Sequence, residues 1–381
     1  MRSITESCIH DLSLDSPLAS TSQSAPTVKA PSPPISPTIA VTRAEELDLS
    51  FLLSPRLYHP LPPPLFTPAP SESTVIDAPG LFSQGRYTAA AEASARRLAQ
   101  PPPPPQQELL NLFYIRLAAL TKLNYIFLAA AEAHVLEDVN SSNYRIEGTN
   151  ECVLPWELRL LTIRLQSVGL RSARKGGVSA LYELAGEARS KFRHAGSTDE
   201  ASTWSRRLKE LGWCTVEALV EEGDLQAAVR QMRSLKGQGQ DEEWEARMVM
   251  LLLKIGDLDG ARKILDRSDE SRPILRDVLK ICEGNYEEST ESGSKVDGTT
   301  TSRSNKAMAN FYSGNVEESS RILEALMQEG KIEKESVFNL VTCYELMAER
   351  AVRERKEGLV ERVGRSAMGK EGSLSQTDFK I

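Results

Sequence analysis

The chain is poor in the residues that catalysis and metal binding most often use. Its 381 residues include four histidines and five cysteines. His10, His59, His134 and His194 are scattered, and none stands at a ligand spacing from a cysteine or carboxylate. Cys8, Cys152, Cys214, Cys282 and Cys343 are odd in number and far apart, without a CxxC pair. That excludes a disulfide framework and reads as reduced thiols in a cytosolic protein. No G-x-S-x-G nucleophile elbow occurs. The carboxylate runs at 199–200 and 241–243 sit at loop–helix borders, where helix N-termini favour negative charge. The expectation is no enzyme, no metal site, no cofactor and no small-molecule substrate.

Proline is nearly missing from most of the chain. Fourteen of the 21 prolines lie before residue 80, five form the run 101–105, and only Pro155 and Pro273 follow. Aromatic residues are also few, at 6%. Residues 1–74 are Pro-, Ser- and Thr-rich and read as an unfolded arm, because they hold too little apolar surface to offset ordering. The later text, dominated by Ala, Leu, Glu and Arg, favours helix. The N-terminus is acidic and lacks an apolar core, which suits neither a secretory signal nor a transit peptide. Long uncharged runs are missing too. The most membrane-like stretch, 111–136, is interrupted by Arg116 and Lys122 and reads as two packed helices turning near Asn124. A soluble, cytoplasmic protein is expected.

Net charge is −7 with a pI of about 5.5, which excludes a general nucleic-acid binder. Residues 159–209 depart from that balance, with 11 Lys/Arg against 4 Asp/Glu. Acidic lipid or an acidic partner would fit this stretch; a solvated helix face explains it as well and is preferred. Within the arm, one island stands out at 44–62, AEELDLSFLLSPRLYHPLP. Leu47, Phe51, Leu52 and Leu53 make an apolar face over one or two turns. A helix that short needs docking, on this chain's own body or on a partner. Phe51 and Leu52 are candidate partner contacts on the second reading.

Gly-Asp-Leu occurs at 223–225 and again at 256–258, each time with an alanine three residues after the leucine. Before Gly256, residues Trp244, Met248, Leu251, Leu252 and Ile255 fall on one helical face; after it, Leu258, Ala261, Ile264 and Leu265 fall on a second. Around Gly223 the same order appears, with Trp213, Val216, Leu219 and Val220 before, and Leu225, Ala228, Val229 and Met232 after. A third copy places Gly314 before Val316, Ser319, Ile322, Leu323 and Leu326. Glycine tolerates the left-handed geometry that ends a helix, and the adjacent Asp or Asn caps the next one. Ala228, Ala261 and Ser319 allow two helices to approach closely. A phosphate loop needs GxxxxGK then Ser or Thr after a strand, but the residues before each glycine are helical. The 33-residue step is a helix–turn–helix repeat.

These units resemble tetratricopeptide repeats in a degenerate form: the joint glycine, the apolar residue two on and the small residue five on all match. Seven residues before the glycine, Ala307 fits the repeat pattern while Val216 and Val249 are larger. Further units are suggested at Gly85, at Asn124 and at Gly284. After Gly284 the polar text SGSKVDGTTTSRS lacks an apolar face, so a low-complexity insert is expected at about 285–304 in place of a packed second helix. The fold class expected is an all-α solenoid over 75–363, with a flexible tail at 364–381.

The order of segments is similar to that in a tetratricopeptide-repeat subunit of the trafficking protein particle (TRAPP) complex. The strongest text is ESVFNLVTCYEL at 335–346 with AERAVRERKEGLVERV after it; APGLFSQGRYTAAAEASARRLA at 78–99 and LFYIRLAALTKLNYIFLAAAE at 112–132 agree as well. The resemblance implies a non-catalytic scaffold in a vesicle-tethering and Rab-exchange assembly of ER-to-Golgi and autophagic traffic. It implies other TRAPP subunits as partners and only indirect contact with a Rab GTPase and with Golgi or ER–Golgi membranes. The alternative is a co-chaperone adaptor that clamps a carboxylate tail, or another adaptor that binds peptide or helix ligands. The inner positions of such a clamp here are Trp213/Glu217, Ala246/Met250 and Ser304/Met308, an apolar lining with an acid where a clamp needs bases. On the last helix, Val337, Leu340, Val341 and Tyr344 read as the core face, which leaves Phe338 as the candidate partner contact.

Overall fold

The computed structural model describes residues 48–61, 77–146, 148, 151–169, 174–236, 242–267, 272–292, 299–330, 334–347 and 352–364. Most of the Pro-rich arm and the tail beyond 364 lie outside the described residues. Sixteen α-helices follow one another: α1 (Ala78–Ser83), α2 (Tyr87–Ala99), α3 (Gln106–Lys122), α4 (Ile126–Ala133), α5 (Trp156–Gly169), α6 (Arg174–Arg193), α7 (Thr198–Glu222), α8 (Leu225–Ser234), α9 (Glu242–Ile255), α10 (Leu258–Leu265), α11 (Pro273–Glu283), α12 (Tyr286–Ser292), α13 (Thr300–Tyr312), α14 (Val316–Gln328), α15 (Lys334–Leu346) and α16 (Val352–Gly364). Short 3-10 turns occupy Ser50–Leu53, Pro55–Leu57, His134–Leu136 and Ser142–Tyr144. No strand occurs among the described residues, and Arg145 and Cys152 form an isolated bridge. Each helix packs on the next, so the protein is an all-α array of helix pairs.

Six joints between paired helices share one geometry. At Gly85, Gly223, Gly256, Gly284 and Gly314 φ lies between 76° and 89°, and at Asn124 it is 62°. The N–H after each joint donates to the carbonyl five residues back. Asp224 N–H meets Leu219 O at 3.0 Å, Asp257 N–H meets Leu252 O at 2.9 Å and Asn315 N–H meets Asn310 O at 2.8 Å. Arg86, Tyr125 and Asn285 do the same with Leu81, Leu120 and Lys280. This hydrogen bond and the left-handed residue terminate the first helix. The next helix starts at once, because Asp224, Asp257 and Asn315 accept from Ala227, Gly260 and Glu318 backbone N–H groups. Ala228, Ala261 and Ser319 are fully buried, as close pairing requires, while Leu225, Leu258 and Val316 are half-buried.

The apolar core is divided. One cluster runs from Leu49 to Leu279 and a second from Ala307 to Val363. Between them the packing uses small hydroxyl side chains, with Ser289 and Ser302 buried. Here the structure corrects the expectation of an insert without a second helix. Tyr286–Ser292 forms a seven-residue helix, and α13 starts at Thr300, inside the expected insert. Thr299 caps α13 by accepting from Ser302 N–H. Within the described part of that polar text, Ser302 is buried at the start of α13. Residues 293–298 lie outside the described residues.

By its Gly, Arg and Lys content the stretch 169–177 reads as a loop before a return helix from Val178, and the structure corrects that reading. The return helix α6 already starts at Arg174. A Cβ at Gly177 would sit 2.7 Å from Ser167 Cβ on α5. The glycine serves close approach of two helices there, which a local reading takes for a loop signal.

Candidate interaction surface

All four tryptophans lie on three alternate helices: Trp156 on α5, Trp204 and Trp213 on α7, Trp244 on α9. Alternate helices approach closely along α1–α3–α5 and again along α9–α11–α13. Across α5–α7–α9 long side chains bridge instead. Trp156 and Trp204 meet edge to face at 5.6 Å, and the Arg207 guanidinium lies over both rings, at 5.1 and 4.8 Å. Arg207 also pairs with Glu157 at 3.3 Å. From α9, Arg247 covers Trp213 at 4.6 Å and holds Glu243, which Lys209 of α7 reaches at 2.8 Å. Trp244 donates its indole N–H to Met232 O at 2.7 Å. Burial and the neighbouring Glu157 push the Glu210 carboxyl up to about 7, against the pull of Arg206 and Arg207.

These tryptophans act as spacers between helices, which corrects one sequence expectation. Trp213 and Glu217 are buried, so this inner pair is no open lining. Glu217 instead lies 3.8 Å from Arg164, which also holds Glu221 at 3.0 Å.

Within the basic stretch 159–209, Arg159, Arg164, Lys191, Arg207 and Lys209 pair with acids of the same chain. Arg159 is buried, makes two hydrogen bonds to Glu187 and donates to Asn140. Arg145 donates to the same Glu187 at 2.8 Å. Burial pushes the Glu187 carboxyl up, but the hydrogen bonds and charges of Arg159 and Arg145 outweigh it and hold it at about 2. Lys191, Arg207 and Lys209 reach Glu151, Glu157 and Glu243, acids contributed by neighbouring stretches. Arg159 and Arg164 are buried in internal ion pairs, which corrects the expectation at these two, whereas Lys191 and Lys209 stay on the solvated face expected of the stretch.

Of the three candidate partner contacts, Leu52 is fully buried against its own chain, which corrects its assignment; Phe51 is half-buried. Phe338 is 37% exposed, while Val337, Leu340, Val341 and Tyr344 beside it are buried. Tyr344 is held further by its hydroxyl on Glu324 at 2.7 Å, and burial pushes that hydroxyl well above its ordinary value. Leu346 on the same helix and Tyr312 on α13 are each 57% exposed, and Phe127 on α4 is 77% exposed. Tyr312 stacks on Tyr286 at 6.0 Å. Among the inner positions, Met250 is exposed. Tyr312 and Phe127 lie off the apolar stripes, which is the signal that would have marked them.

One constellation has no sequence signature. Arg116 of α3 is buried and meets Glu132 of α4 through Nε at 2.9 Å and Nη2 at 2.7 Å. Its Nη1 donates to Ala91 O, and its Nη2 also donates to His59 O at 2.7 Å. His59 N–H in turn donates to Glu132 Oε1 at 3.0 Å. The island around Phe51 is thereby docked on its own body.

Among the described residues no group of His, Cys, Asp and Glu is placed to hold a metal ion, and the four described cysteines are free. No helix among them is long and apolar enough to cross a membrane. Comparison with protein-family models finds no match to this chain, and comparison with curated proteins finds no significant match either.

Proposed function

We propose that this chain is a non-catalytic scaffold subunit of a TRAPP-type vesicle-tethering and Rab-exchange complex, in the place of subunit twelve. The observation that carries the reading is on α15. Its inward row is fully committed to the core, while Phe338 and Leu346 remain outside it. The same helix holds the text most similar to that subunit. An exposed aromatic beside a filled core row suits contact with another folded protein. Sister subunits are the partners on this reading. The Rab GTPase and the Golgi or ER–Golgi membrane are reached through the assembly, in ER-to-Golgi and autophagic traffic. A carboxylate clamp gains no support, since Glu217 at an inner position is acidic and buried beside Arg164. Affinity purification of the tagged full chain with mass spectrometry tests the proposal. Recovery of trafficking subunits is expected; chaperones without trafficking subunits would overturn it.

A further inference from the structure

The Arg116–Glu132 pair is completed by residues far away in sequence. The 3-10 turns at Ser50–Leu53 and Pro55–Leu57 lie against α2. Leu49 and Leu52 join the buried core, and the Tyr58 hydroxyl donates to Leu52 O, which folds the segment on itself. At His59 both backbone groups are held, the N–H by Glu132 and the carbonyl by Arg116. Two apolar anchors and one residue's main chain are the marks of a short peptide in a groove. No turn in the segment exceeds four residues, so its order comes from the groove and not from helical cooperativity. Fifteen residues, 62–76, connect Leu61 to Asp77, whose carboxylate caps α1.

We infer that α1–α4 form a receptor site for a short linear peptide and that residues 48–61 are its ligand in cis. The site accepts the same segment from a second copy of the chain once the cis segment is withdrawn. The short connection gives the cis segment an effective concentration on the order of millimolar, so it excludes a dilute competitor while it remains tethered. The inference stands apart from the trafficking proposal and does not need it.

The test uses the full chain with a protease recognition sequence placed within 62–76. The probe is a fluorescein-labelled peptide of residues 44–62, followed by anisotropy before and after cleavage. Cleavage is expected to strengthen apparent peptide binding by about 100-fold or more, as loss of tethering predicts. N-methylation of the probe at His59 removes the donor to Glu132 and is expected to weaken binding by about tenfold. A probe carrying Leu49→Asp and Leu52→Asp should not bind. The inference is overturned if the cleaved segment never exchanges with the probe over a day. It is equally overturned if release of the segment collapses the helical circular-dichroism signal, since residues 48–61 would then be fixed core.

Discussion

Arg116 and Glu132, on consecutive helices, form a two-hydrogen-bond ion pair in which both side chains are almost wholly removed from solvent. Breaking such a pair on one side leaves a buried charge without its counter-ion. Glu132→Ala is expected to cost about 3–5 kcal/mol, and Arg116→Met combined with Glu132→Leu to recover at least half of that loss. Urea unfolding followed by circular dichroism measures both. A loss under about 1 kcal/mol in the single variant would mean that water reaches Arg116.

The joint glycines are tested by two substitutions four residues apart. At Gly256 φ is +84° and an added Cβ meets nothing within 4 Å. Gly256→Ala is therefore a purely conformational change, expected to destabilise by about 1–2 kcal/mol. At Gly260 a Cβ would meet the Asp257 carboxylate that caps α10. Gly260→Ala trades a helix-propensity gain of about 1 kcal/mol for a weakened cap of similar size, so its net effect on stability is close to zero. Equal losses in the two variants would contradict the assignment.

Two carboxylates give opposite pH dependence. Glu210 is raised to about 7, so the folded state holds its proton more tightly than the unfolded chain. Its contribution is fully present below the ordinary glutamate range and is lost as pH rises towards 7. Glu210→Gln should flatten stability between about pH 4.5 and 7. Glu187 is held at about 2, and its contribution is present above the ordinary range and lost as pH falls towards 2. Glu187→Gln should remove acid sensitivity on that side only. Denaturation midpoints across pH 2–8 separate the two.

The divided core makes the last helices a separate unit of stability, because repeat arrays are held by nearest-neighbour packing. All four tryptophans report on the first cluster, whereas circular dichroism reports on both. Leu340→Ala, fully buried in the second cluster, should cost about 2–5 kcal/mol in the circular-dichroism transition. Tryptophan fluorescence should keep its midpoint. A shift shared by both probes would show one cooperative unit.

Phe338→Ala separates surface from core on the same helix. It should change stability by about 0.5 kcal/mol or less, while reducing co-purification of sister subunits. Unchanged recovery with an intact helical signal would take Phe338 out of the interface.

Much of the fold was legible in the sequence, because its signals are local. The faces before and after Gly223, Gly256 and Gly314, the Asp and Asn caps, and the buried row Val337–Leu340–Val341–Tyr344 all follow from helical period and cap chemistry. The errors share another cause. Gly177 reads as a loop residue until α5 is seen against it. Ser289 and Ser302 read as unpackable until their neighbours are placed. Leu52 reads as a free anchor until the groove that holds it is known. The candidate site was less legible. Phe338 was marked by its position off the core stripe, but Tyr312 and Phe127 were not singled out.

By itself the sequence determined the helices around Gly223, Gly256 and Gly314, where they stop and restart, and which face of each turns inward. Those properties depend on residues within one or two turns of each other, where backbone sterics and side-chain period suffice. Tertiary structure alone decided which charges are spent on one another, as with Arg159 on Glu187 and Arg116 on Glu132. It also placed the tryptophans as spacers and the island at 48–61 on its own body. Each of these depends on distances between elements tens of residues apart, and burial changes the strength of a charge or hydrogen bond only once those distances are set.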